Sequence, residues 1–154
     1  FGQTTLFGPR DFRSGAGKRL WNDGWDGYTP ARTRLIDALR KHRVANPVFL
    51  GGDVHENWVG HVLADYADPA SPAVGVEFCG TSITSRSAGN AKVAEQLAEN
   101  PHFVFAEADR RGYGIADITA QQMNVSLRVV SDVTVKDTQI ETLANRSRCS
   151  FSVC

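Results

Sequence analysis

Asp53 and His55 stand two residues apart in the run Gly51-Gly52-Asp53-Val54-His55, a carboxylate and an imidazole that can converge on one cation. The two glycines ahead of them let the backbone turn sharply and approach a ligand closely. An imidazole with a carboxylate suits transition metals such as zinc or iron, whereas calcium favours oxygen donors. The same spacing also fits a turn aspartate beside a surface or packed histidine. Other polar groups gather nearby in sequence. Thr81, Ser82 and Thr84, in the hydroxyl-rich run 80–85, can bond the oxygens of an anion or act as caps and turn formers. Arg110 and Arg111 can clamp an anion bidentately or be solvated charge at a hairpin turn. Glu77 can orient His55 from behind or be a paired core carboxylate. Asp26 and Tyr28 can face a site or build a rigid packed turn with Trp25 and Gly27. His102 is a further candidate ligand, ahead of His61 and His42, and Trp58 reads as packing.

The elements that hold these residues follow from periodicity. Gly8-Pro9, Gly15-Ala16-Gly17 and Asn22-Asp23-Gly24 punctuate residues 1–28, which therefore read as a long irregular segment packed on something else. Thr29 can cap a helix whose first turn accepts Pro30. Ala31, Leu35, Ala38 and Leu39 form its apolar face, Arg40, Lys41 and Arg43 meet the negative end of its dipole, and Asn46-Pro47 ends it. The apolar run 47–50 reads as a strand buried on both faces. Helix then strand is half of an α/β crossover unit, and ligands gather beyond the carboxyl ends of such strands; Asp53 and His55 lie there. Residues 73–79 alternate, with Val74, Val76 and Phe78 opposite Gly75, Glu77 and Cys79. A second helix spans 91–99 on Ala91, Ala94, Leu97 and Ala98. Strands at 102–108, 113–119 and 123–130, joined by short loops, predict an antiparallel meander with one wet face. From Ser131 the pattern fades, and 145–154 reads as an irregular tail after a domain over 1–144.

The 154 residues suit one domain. At 42% hydrophobic and 22% charged, with 17 basic residues against 17 acidic, the chain has no net field to recruit nucleic acid or an anionic membrane. No apolar stretch reaches the roughly 20 residues of a membrane-spanning helix. Three cysteines give neither a disulfide framework nor zinc-finger spacing, and Cys79 reads as a buried free thiol. Beginning at Phe1, the chain is expected to be a mature product or a piece of a longer protein.

Five stretches carry a resemblance. Residues 51–58 (Gly-Gly-Asp-Val-His-Glu-Asn-Trp) resemble the late metal-ligand motif of the PhoD-like alkaline phosphatases, members of the calcineurin-like metallophosphoesterase superfamily. Asp23-Gly24-Trp25-Asp26-Gly27-Tyr28 with Arg32, then 76–85, Asn100-Pro101-His102 and 109–113 resemble further family segments in the family's order. The resemblance implies an α/β fold, part of a four-layer sandwich with a mixed sheet, flanking helices and a C-terminal antiparallel meander. It implies metal-activated hydrolysis of phosphate mono- or diesters, iron and calcium as cofactors, and Asp53 and His55 as metal-site residues. It also implies that the remaining ligands stand in an upstream segment, that these residues alone are inactive, and that the protein is secreted, periplasmic or at the cell surface. The alternative is a non-catalytic binding or structural domain derived from the same fold.

Overall fold

The computed structural model describes residues 2–12, 17–68, 70–149 and 152–153. Strand β1 (Gly2–Thr4) runs parallel to β2 (Val48–Gly51), which runs parallel to β4 (Ala73–Cys79). Strand β3 (Asn57–Leu63) is antiparallel to β4, and β5 (Phe103–Glu107) is antiparallel to β3. The mixed sheet thus has the order β1-β2-β4-β3-β5. A second, antiparallel sheet has the order β6-β7-β8-β9, from Arg111–Ile118, Met123–Val130, Ile140–Cys149 and Ser152–Val153. Helices α1 (Thr29–Lys41) and α2 (Asn90–Glu99) complete the described fold.

Hydrophobic burial stacks these elements in three layers. Val59, Val76 and Phe78 of the mixed sheet pack on Met123, Val125 and Leu127 of β7, joining the two sheets face to face. On the other face of the mixed sheet, α1 buries Ile36 against Phe7, Phe49 and Val62. Alongside it, α2 buries Val93 against Leu6, Trp58 and Phe103. Trp58 has no exposed surface, and its ring centroid lies 4.9 Å from that of Phe103. The buried free thiol of Cys79 sits in the same cluster as Trp58.

Several expectations are corrected. The first 28 residues are not wholly irregular: they contain β1 and a 3₁₀ turn at Trp25–Tyr28, and they bury Leu6 and Phe7 in the core of this same chain. Thr29 is the first helical residue rather than the cap, and its hydroxyl bonds back to the Asp26 carbonyl at 3.2 Å. The expected leucines Leu35, Leu39 and Leu97 pack on the core, but the fully buried positions are Arg32 and Ile36 in α1 and Val93 and Gln96 in α2, outside the expected stripes. Strand β3 has no place in the sequence reading because Asn57, Gly60 and His61 interrupt its apolar residues. Strand β5 belongs to the mixed sheet, so the meander is β6-β7-β8, and Asp109-Arg110 carries the chain between sheets rather than around a hairpin. Residues 145–149 continue β8, and 152–153 pair with it, where an irregular tail was expected. Polar cross-strand pairs hold β8, such as Ser126 Oγ with Asn145 Oδ1 at 2.8 Å, and such pairs leave no apolar signature.

Candidate functional site

Strands β1, β2 and β4 are parallel, and Asp53 and His55 follow the carboxyl end of β2, in the bend that leads into β3. The sharp backbone falls on the two candidate ligands themselves. Asp53 has φ 71° and His55 φ 62°, both left-handed, whereas Gly51 and Gly52 are outside that region. Left-handed backbone costs a non-glycine residue about 1–2 kcal/mol, and such residues collect at functional sites as well as at turns, as Arg43, Asn46 and Asp137 do here. Gly51 is needed for a different reason: a Cβ there would lie 2.7 Å from the Thr5 carbonyl oxygen. The missing side chain lets residues 5–8 cross the end of β2.

His55 is gripped from three directions. Its Nδ1 lies 3.2 Å from the Arg86 carbonyl. A carbonyl only accepts, so Nδ1 carries the proton and Nε2 of the neutral ring keeps its lone pair. The His55 carbonyl in turn accepts from the Thr81 hydroxyl at 3.1 Å and from the Arg111 guanidinium at 3.1 Å. Asp53 is the opposite case. It is exposed, and its carboxylate takes no hydrogen bond or ion pair among the described residues. It lines a cleft with Asp26, Arg10, Trp25 and Gly8.

The other expected residues are placed as follows. Asp26 shares the Asp53 cleft, and both its oxygens are engaged, by Arg32 at 2.7 Å and by the Arg10 amide at 3.1 Å. Tyr28 is 63% exposed. Thr81 and Ser82 use their hydroxyls within the protein, on the His55 carbonyl and on the Ser85 carbonyl at 2.6 Å. Arg110 pairs with Glu107 at 3.2 Å and Glu141 at 2.5 Å. Arg111 is 6% exposed, and its terminal nitrogens donate to Ser85, Ser82, His55 and Ala108, which makes it a fastener of the 82–87 loop.

Glu77 does not touch the His55 ring, whose acceptor is Arg86. Its buried carboxylate accepts the Phe7 amide and the Gly8 amide, the latter at 2.9 Å. Burial drives that carboxyl up to about 7, against the pull of the two amides, Arg32 and Arg10. His102 packs between Tyr66 and Phe103, with its Nε2 buried and unpartnered. Burial lowers its pKa to about 4, despite a bond to the Pro9 carbonyl.

Two supporting residues were given no role in the sequence reading. Arg10 and Glu56 form a buried ion pair beside His55, and Glu56 also accepts from the Trp58 indole at 2.9 Å. The sequence signal for Glu56 was its place in the run 51–58. Arg10 had none, because its partner lies 46 residues away.

For a metal, His55 and Asp53 fit as donors. A ligating histidine characteristically has its other ring nitrogen held by a carbonyl or carboxylate, as Arg86 holds Nδ1 here. The carboxylate is open. Among the described residues, no group of three or more His, Cys, Asp or Glu side chains is assembled that could hold an ion.

A family model described as PhoD-like phosphatase matches residues 1–127. Alkaline phosphatase D of Bacillus subtilis (strain 168) is 36% identical over 146 residues, 93% of this chain and 25% of that protein. A solved structure, "Structure of PhoD", superposes with a TM-score of 0.87 at 34% identity, covering 97% of this chain and 29% of that one. The chain therefore spans about a quarter of the length of the curated relative it matches. No helix among the described residues is long and apolar enough to cross a membrane.

Proposed function

Because this chain belongs to the PhoD-like phosphatase family, we propose that it supplies Asp53 and His55 to the metal site of a phosphoric-ester hydrolase acting on phosphate mono- or diesters. The observation that carries this reading is the His55 ring, protonated at Nδ1 by its bond to Arg86 and so open at Nε2. Asp53 adds an unengaged negative charge from the same left-handed bend.

When bound, the metal would supply positive charge for the phosphoryl oxygens and acidify a water for attack on phosphorus. The protein's part is to hold His55 in one tautomer, leave the Asp53 carboxylate unengaged in an open cleft, and present both at the end of a rigid parallel strand. Imidazole with carboxylate suits iron, and calcium would take oxygen-only positions. Calcium alone takes about 6–8 oxygens, so the remaining donors are assigned to other parts of the protein, and these residues by themselves would be inactive. Export to the periplasm, cell surface or medium is part of the same proposal.

The test is release of phosphate from a generic aryl ester by the full-length protein, with metal content measured in parallel. D53A and H55A should each abolish turnover and lower bound metal. Unchanged turnover in both variants removes the assignment. Thermal melting indifferent to chelation would favour a non-catalytic domain instead.

A further inference from the structure

We infer that Arg111 and Thr81 are positioning residues for His55, acting on its backbone and, through the 82–87 loop, on its ring; this rests on His55 being a metal ligand. Two donors meet the same carbonyl, Thr81 Oγ1 and Arg111 Nη1, each at 3.1 Å, the Thr81 hydroxyl sharing its one proton with the Arg110 carbonyl at 3.2 Å. Arg111 Nη1 also donates to the Ser85 carbonyl at 2.5 Å. The next residue along is Arg86, whose carbonyl takes the His55 Nδ1 proton. One buried guanidinium therefore fixes the spacing between the imidazole's own backbone and the acceptor that sets its tautomer. Nη1 has two hydrogens for three acceptors, so Ser82 Oγ, 3.1 Å away, shares one of them, and Ser82 closes the circuit by donating to Ser85 at 2.6 Å.

A planar fork can hold several carbonyls in one geometry, which a lysine ammonium does not reproduce. His55 needs such a grip, since its left-handed backbone persists only where the surroundings over-determine it. Arg111 and Thr81 thus do not contact substrate. They hold the ring with Nε2 outward.

The experiment uses the full-length protein with R111K, T81V, T81S and H55A. Iron retained against a competing chelator gives metal affinity, and 15N shifts of the His55 ring in metal-free protein give the tautomer. Circular dichroism reports whether each variant folds. Losing groups that orient a metal ligand typically costs about 10–100-fold in affinity. T81V and R111K should fall in that range and mix the two ring tautomers, while T81S keeps parental values. If R111K does not fold, T81V against T81S decides. Parental affinity and an unmixed Nδ1–H ring in T81V overturn the inference. Should H55A retain all its metal, the ligand reading falls, and the tautomer measurement still decides whether Thr81 and Arg111 position the ring.

Discussion

Glu77 and His102 are buried groups whose proton affinities move in opposite directions, and the folding stability of the protein should show each only when the other is removed. The Glu77 carboxyl goes from 4.5 to about 7 on folding. Between those values the native state keeps a proton that the unfolded chain has released. Stability therefore falls as pH rises, by about 1.4 kcal/mol per pH unit and about 3 kcal/mol across the window. The full contribution is present below 4.5 and gone above about 7. His102 goes from 6.5 down to about 4. Here the unfolded chain holds the extra proton, so stability is full above 6.5 and is lost as pH falls toward 4. The magnitude is similar, about 3 kcal/mol.

Over pH 4.5–6.5 the two slopes nearly cancel, and their sum should leave the parent profile almost flat there. E77Q removes one slope. Its amide cannot accept from both the Phe7 and Gly8 N–H groups, so one buried donor is stranded at about 1–3 kcal/mol, and at pH 4.5 the variant is less stable than the parent. By about pH 7.5 the parent carries the full desolvation of its carboxylate, and the difference should shrink by about 3 kcal/mol or reverse. H102Q should unmask the falling limb. Urea unfolding at half-unit pH steps gives all three curves. An E77Q-to-parent difference that stays constant from pH 4.5 to 7.5 would refute the buried-carboxylate account.

The remaining predictions concern the supports of the site. R10A leaves Glu56 buried with the Trp58 indole as its remaining partner, and should cost about 3–5 kcal/mol in urea unfolding; a variant as stable as the parent would mean the pair contributes nothing. G112A places a Cβ 1.8 Å from the Arg128 carbonyl and 2.8 Å from the Val129 Cα. Neither backbone atom can step aside, so the cost should reach the upper end of about 1–3 kcal/mol, read as a lowered melting temperature, and unchanged melting would show that β6 can shift.

The strand that delivers the site was legible because 47–50 is an unbroken apolar run between a proline and two glycines. The position of Asp53 and His55 beyond its carboxyl end followed from that alone. Their backbone did not, since glycines are the expected bearers of tight turns, and only the crossing of Thr5 over Gly51 reveals why those glycines are there. Strand β3 was hidden because polar residues with distant partners stand among its buried apolar ones, such as Asn57, whose Oδ1 takes the Thr81 amide at 3.2 Å. Strand β5 was seen, but period-2 patterning says which residues are buried and never which sheet buries them. The hydroxyls and arginines after β4 were left open between binding an anion and structural roles. In the structure they bond within the protein, some to distant backbone, as Thr81 and Arg111 do to the His55 carbonyl 26 and 56 residues away, pairings that no local pattern encodes.

The strain at the bend is distributed unequally, and that bears on how the site would work. His55 has a side-chain bond, two donors on its carbonyl and a buried neighbour, Glu56, locked to Arg10. Hydrogen bonds to charged groups are worth about 1.5–3 kcal/mol and neutral ones about 0.5–1.5, enough to outweigh a left-handed residue at about 1–2 kcal/mol. Asp53 has no such side-chain restraint, though aspartate tolerates this backbone better than most residues. The imidazole is therefore set in place before anything binds, while the carboxylate keeps its rotamer freedom, which under the proposed metal-site reading it would give up only on meeting a cation. A site built this way should select first for the geometry that His55 imposes, with Asp53 adapting to the ion that arrives.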